Sequence, residues 1–183
     1  MRKITVSTMV SLDGVTGDPQ SWAMEYFDEA AQAEGLRRLM TSDGMLLGRV
    51  TYEALGRAWS SRSGGFADRI NGIPKYVFSS TLPSADWGNA TLIRGDVVSE
   101  AKRLKGQGDA DLVIFGHGRL SRTLLKAGLI DEFRLLVHPV LAGHGELFFS
   151  EIEKQKLNLS SSMTLANGVV ILIYAVAKSA DAT

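Results

Sequence analysis

Positions 3 to 10 are mainly β-branched and apolar, which predicts a strand, and Asp13-Gly14 with Gly17-Asp18-Pro19 forces the chain out of it into a loop. From Phe27 to Met40 the period lengthens: Phe27, Ala30, Ala31, Leu36, Leu39 and Met40 fall near one helical face, with Arg37 and Arg38 outside it. Met45-Leu46-Leu47 reads as a short buried strand, Gly48 as a turn and Arg49 to Leu55 as a second helix. Residues 56 to 72 mix glycine, serine and charge without a period, and are expected to be a mobile surface loop, conceivably a lid. Lys75 to Ser79 and Thr91 to Arg94 read as strands, and Asp96 is placed to cap a helix carrying Val97, Ala101 and Leu104, which Gly106 stops.

Leu112 to Phe115 is a continuous apolar strand, Gly116-His117-Gly118 a turn, and Arg119 to Ala127 a helix closed by Gly128. Phe133 to Val137 follows as a strand, ended by His138-Pro139. Two late strands, about Leu157 to Thr164 and Val169 to Ala177, flank Asn167-Gly168, a signal for a type I′ hairpin. Strands alternating with helices imply an α/β domain with a largely parallel sheet, and runs such as LVIF and VVILIYAVA suit strands buried on both faces. In such sheets ligands bind beyond the carboxyl ends of the strands, where Gly48, Ser79 and Gly116 fall.

At 183 residues the chain suits one core and one site, expected as a single domain over 1–178 with a flexible tail at 179–183. Lys and Arg number 20 against 20 Asp and Glu, so the electrostatic footprint of a general nucleic-acid binder is missing. There is no cysteine, which excludes disulfides and thiolate chemistry. No apolar run approaches the ~20 residues of a membrane-spanning helix, and the opening segment does not read as a signal peptide, so a cytoplasmic location is expected.

Gly116-His117-Gly118-Arg119-Leu120 lies where a strand gives way to a helix, so its amides and the positive helix end suit a phosphate; as a bare motif it is equally a tight turn. Gly48-Arg49-Val50-Thr51 repeats the arrangement and adds a guanidinium and a hydroxyl. Ser79-Ser80-Thr81, with Arg94, offers a place for a further phosphate, or a polar turn before Pro83. His117, His138 and His144 do not form a ligand cluster, and no metal is expected. Among the acids, Asp13, Asp28, Glu29 and Glu146 are candidates to orient a substrate or relay a proton, each with a plainer role as a turn, first-turn or loop residue.

Taken in order, Ser11-Leu12-Asp13-Gly14, Leu47 to Glu53, Val77 to Ser80, Val113 to Leu120 and GLIDEFRLLVHPVLAGHG from Gly128 make the chain resemble the dihydrofolate reductase fold. Within it, the resemblance is closer to the reductase domain of bacterial riboflavin biosynthesis proteins. It implies a three-layer α/β fold with a mostly parallel central sheet, helices on both faces and a C-terminal antiparallel hairpin. It also implies NADP(H) as cofactor, with Thr16 and Gly17 beside the nicotinamide, and Gly48, Arg49 and Thr51 at the pyrophosphate. Ser79 and Ser80 would meet the adenosine 2′-phosphate, and Gly116, Gly118, Arg119 and Leu120 would complete the groove. Two segments depart from the family patterns: Trp22 to Asp28 lacks the proline of a Trp-x-x-Pro segment, and Gly-His-Gly stands where the riboflavin branch has Glu-Gly-Gly.

The expected function is therefore hydride transfer from NADPH to a small heterocyclic, pteridine- or pyrimidine-like, or carbonyl substrate. Asp13 or Asp28 would act in catalysis, and Trp22 and Glu146 would border the substrate. Two alternatives stay open: a nucleotide-binding regulatory module without catalysis, and a phosphoribosyl-ligand protein that uses no nicotinamide. The apolar late strands and their edge favour a homodimer, with no nucleic-acid or membrane partner.

Overall fold

In the computed structural model, residues 2–148, 150 and 152–177 are described. β1 (Ile4–Ser11) leads through two 3-10 turns, Pro19–Ser21 and Met24–Tyr26, into α1 (Glu29–Met40) and β2 (Ser42–Gly48). There follow α2 (Arg49–Trp59), α3 (Gly65–Gly72), β3 (Lys75–Phe78), β4 (Ala90–Ile93), α4 (Val97–Lys105), β5 (Asp111–Phe115) and α5 (Arg119–Lys126). β6 (Glu132–His138), β7 (Leu157–Thr164) and β8 (Val170–Val176) complete the chain. The strands form one 8-stranded sheet in the order β4-β3-β2-β5-β1-β6-β8-β7. Every pairing from β4 across to β6 is parallel; β6 with β8 and β8 with β7 are antiparallel.

The pleat divides the core into two layers. Along β2, Leu46 joins Ile4, Val6 and Ile114 under α4 (Ala101, Leu104) and α5 (Leu124). Met45 and Leu47 point the other way, to Leu39 of α1, Tyr52 of α2 and Ile70 of α3. A period of two along the strands thus faces helices on both sides, the three-layer arrangement expected. As expected too, Asp96 caps α4 by accepting from the Ser99 amide at 2.9 Å, and Gly106 is its C-cap.

Expectations for the late hairpin and for residues 56 to 72 need correction. Residues 56 to 72 are not one loop: α2 continues to Trp59, and α3 begins at Gly65. Ala67 and Ile70 are buried, and Phe66 packs T-shaped on Trp59 at 4.7 Å, so this segment belongs to a helical layer. The apolar spacing in the short run FADRI was masked by its glycine and serine flanks. The late hairpin is present, but its turn is not type I′, because Asn167 does not take the positive φ that type requires. Instead Gly168, at φ +87, donates its amide to Leu165 O, and Leu165 N donates to Val169 O, closing a three-residue loop. Finally, the late strands are not buried on both faces: β7 is exposed along nearly its whole length and β8 is only partly covered. The sheet edge is therefore β7, which carries a register shift between Leu159 and Ser161.

One polar contact crosses the α1 layer. Arg134 of β6, 3% exposed, donates to Glu34 of α1 at 2.8 Å and to Ser7 Oγ at 3.3 Å. Glu34 also receives the exposed Arg37. Arg38, expected outside, has its Nε and Nη2 buried. The expected tail at 179–183 lies outside the described residues. Among the described residues, no helix is long and apolar enough to cross a membrane.

Candidate functional site

β2 and β5 are parallel neighbours, and each is followed by a helix that a glycine opens, Gly48 at the end of β2 and Gly118 three residues past β5. Gly48 is the N-cap of α2 and Gly118 that of α5, and neither helix has a side-chain cap. Gly116 holds φ +76, a conformation that suits glycine, and a Cβ there would come 3.9 Å from Thr51 Oγ1. A Cβ on Gly48 would come 4.0 Å from Leu120 Cβ. The two helix starts therefore meet at Gly48, Thr51, Gly116 and Leu120.

The charges at these starts are reversed from the usual preference. α1 and α4 have Asp N-caps with an acid in the first turn, and α3 has Asp68 there. α2 and α5 have no first-turn acid, and their first residues are Arg49 and Arg119. A cation at the positive end of a helix dipole costs roughly 0.3–1 kcal/mol unless an anion is present. Arg49 is partly offset by Glu53 at 3.2 Å, whereas Arg119 has no ion pair among the described residues. Unpaired first-turn amides and two guanidiniums are what a pyrophosphate requires.

Ser79 and Ser80 extend this row past β3, the strand beside β2. Ser79 Oγ accepts from the amides of Thr81 and Leu82 at 3.2 and 3.0 Å. The Ser80 carbonyl, with those of Leu82 and Pro83, is held by the Arg94 guanidinium. These bonds give the turn a fixed shape and commit Arg94 to it.

On the other side of β5, the loops after β1 and β6 are zipped together. Thr16 N and Gly17 N donate to Glu146 O at 2.8 and 3.3 Å, and Phe148 N donates to Gly14 O at 2.8 Å. Thr16 Oγ1 turns back to Met9 O at 3.0 Å, and Trp22 Nε1 donates to Gly17 O at 3.0 Å. Gly17, Trp22, Ala142, His144 and Glu146 line a half-open cavity of about 450 Å³. The Glu146 carboxylate pairs with Arg122 of α5, linking this cavity wall to the helix that opens the groove. Trp22 and Tyr26 set their rings edge-on to the buried His138, at 5.4 and 5.5 Å. Burial holds the His138 pKa below its ordinary value, against the opposing hydrogen bond to Leu136 O.

The two carboxylates expected in catalysis are engaged by different loops. Asp13 accepts from Ser11 Oγ and from the amides of Ala142 and Gly143 at 3.0 and 2.7 Å. Those bonds, Ser11's first, hold its carboxyl at about 2, so it carries no proton at neutral pH and ties the two loops together. Asp28 caps α1 through Ala31 N at 2.9 Å and accepts from Asn167 Nδ2 at 3.0 Å. Gly17, Trp22 and Glu146 thus gather at the cavity, with Thr16 buried behind it, while Gly48, Arg49, Thr51, Gly116, Gly118, Arg119 and Leu120 gather at the two helix starts.

Sequence reasoning missed three participants. Asn167, read only as a turn former, bonds Tyr26 O and Asp28 across the hairpin. Arg122 gave no signal beyond its charge. Ser121 did give one: it stands where a dinucleotide fingerprint would have its third glycine, and its hydroxyl binds the turn itself.

A largely parallel sheet in this order, continued by an antiparallel hairpin and with two glycine-led helix starts beyond its strand ends, defines an α/β domain of dihydrofolate reductase type. The chain belongs to the RibD C-terminal domain family, whose model matches residues 2–171. It is 31% identical over 139 residues to the uncharacterised protein YyaP of Bacillus subtilis, covering 72% of this chain and 73% of YyaP. A putative riboflavin biosynthesis protein from Shewanella superposes with a TM-score of 0.74 at 21% identity, covering 96% of this chain and 99% of that one. The fold is also similar to a Thermotoga maritima protein titled a diaminohydroxyphosphoribosylaminopyrimidine deaminase/5-amino-6-(5-phosphoribosylamino)uracil reductase, with a TM-score of 0.68 at 13% identity. That match covers 96% of this chain and 57% of the Thermotoga protein.

Proposed function

We propose that this protein is an NADPH-dependent reductase acting on a small pyrimidine- or pteridine-like heterocycle or a related carbonyl compound. The observation that carries the reading is the meeting of two acid-free, arginine-led helix starts at the carboxyl ends of β2 and β5. In this reading the amides and guanidiniums of Arg49 and Arg119 hold the pyrophosphate, with Thr51 beside it. Ser79 and Ser80 receive the 2′-phosphate, and Thr16 and Gly17 border the nicotinamide. NADPH bound there supplies the hydride.

The chain's own contribution is placement. The hydrogen bonds that Asp13 and Glu146 O accept keep the two loops closed against each other and narrow the access of water. Trp22 and Glu146 bound the space next to them. Asp28, exposed at the start of α1 and steadied by Asn167, is the carboxylate that orients the substrate. The reading includes a homodimer formed through the β7 edge, where Leu159 and Met163 are exposed; a light-scattering mass of one chain at micromolar concentration removes that part.

The test is NADPH oxidation across a set of pyrimidine, pteridine and simple carbonyl compounds. Turnover that falls in Asp28→Asn while NADPH affinity is kept supports the assignment. Tight NADPH binding without turnover of any compound favours the regulatory-module reading.

A further inference from the structure

The turn that opens α5 has little steric definition. Gly116 and Gly118 flank it, and nothing lies within 4 Å of where a Cβ on Gly118 would be. Its backbone therefore keeps one shape only if something bonds it, since glycine is free to take many. That something is Ser121, at the third helical position and 1% exposed. Its Oγ accepts the Gly118 amide at 3.1 Å and lies 3.0 Å from Gly118 O.

The same oxygen is 3.0 Å from His117 Nδ1. His117 points inward, 6% exposed, with its ring centroid 4.5 Å from that of Phe148 and 6.3 Å from that of Phe133. A hydroxyl has one proton. If Ser121 gives it to Gly118 O, the imidazole must carry its proton on Nδ1 and donate to Ser121, and all the groups of the turn are paired. If Ser121 instead donates to Nδ1, Gly118 O loses this donor and a buried Nε2–H has no partner, because Nε2 makes no hydrogen bond among the described residues. Gly118 O keeps the Arg122 amide at 3.1 Å in either case, so the first tautomer leaves one bare lone pair among phenyl rings and the second leaves a buried donor unpaired, which costs more. The ring is thus the neutral Nδ1–H form. Burial, with the Arg122 charge adding to it, keeps the ring neutral by lowering its pKa to about 4.

We propose that His117 is a positioning residue of the cofactor groove: through Ser121 it turns the Gly118 amide inward and so leaves the amides of Arg119 and Leu120 aimed at the ligand phosphate. The inference rests on the cofactor reading above and assigns a role to one of the two residues, Gly116 and His117, that set this turn apart from Glu-Gly-Gly.

The experiment is a fluorescence titration with NADPH of the wild type, His117→Phe, Ser121→Ala, the double variant and His117→Asn, each with its thermal midpoint. Phe keeps the ring packed against Phe133 and Phe148 while deleting the Nδ1 donor. The expected result is NADPH affinity about tenfold weaker in His117→Phe and in Ser121→Ala, with the double variant no weaker than either. His117→Asn, whose side-chain amide restores a donor near the Nδ1 position, regains most of the affinity whatever its midpoint. If His117→Phe does not fold, Ser121→Ala and His117→Asn decide the matter. Wild-type binding that persists unchanged in the variants overturns this inference alone. A folded wild type that does not bind NADPH overturns the cofactor reading and this inference with it.

Discussion

Asp13 and His117 show opposite ways in which surroundings fix a protonation state. Three donors hold the exposed Asp13 as a carboxylate, and its folded pKa lies below the ordinary 3.8 at about 2. Its contribution to loop closure is therefore present above pH 3.8 and is lost as pH falls through about 2. Asp13→Asn is expected to speed amide exchange at Ala142 and Gly143 selectively, because those two amides lose a charged acceptor; unchanged exchange there contradicts the assigned role. His117 is lowered from 6.5 to about 4 by burial, so the unfolded chain takes up its proton first as pH falls. The stability attached to it is complete above 6.5 and declines as pH falls towards 4, by about 3 kcal/mol at most. Urea unfolding across that window checks this: the decline is expected to be shallower in His117→Phe, and equal slopes in the two proteins speak against it.

At the scale of elements, α1 is docked on the sheet by a charge as well as by Leu39. Glu34 is the carboxylate that meets the buried Arg134. Glu34→Ala leaves that guanidinium buried and unpaired, and is expected to cost about 3–5 kcal/mol in chemical denaturation. Adding Arg134→Met is expected to recover much of the loss; equal stability of Glu34→Ala and the wild type would sink the assignment. Neither partner could be paired from the sequence, because 100 positions separate them and Arg134 sits in a strand that reads as apolar. What was legible followed from local chemistry: Asp96 before a periodic run, Gly106 after it, and the continuous apolar run Met45-Leu46-Leu47 in β2. The segment 56 to 72 was misread because α3 is only 8 residues long and begins between glycines, which gives a helical period little room to appear. The Asn167-Gly168 pair announced a hairpin, but the choice of turn depended on one residue's φ, which composition does not specify.

Over the whole molecule, the candidate site is assembled from segments far apart in the chain. The loops after β1 and β6, the starts of α2 and α5, and the turn after β3 all lie beyond the strand carboxyl ends, as parallel α/β sheets arrange them. The two glycine-led helix starts were readable because each is a contiguous motif. The zipping of residues 14–17 to 146–148, and the reach of Arg122 to Glu146, were not, because both are contacts between elements. Trp22 stands in the cavity wall and makes the site observable. The central claim is that two arginine-led helix starts form an NADPH groove. Its most direct test is titration of the purified protein with NADPH and with NADH, read by tryptophan quenching, alongside Arg49→Ala and Arg119→Ala. NADPH is expected to bind more tightly than NADH, and about tenfold more weakly to each variant than to the wild type, with the fold intact. Equal affinity in the wild type and both variants, or no binding of either nucleotide by the folded wild type, contradicts it.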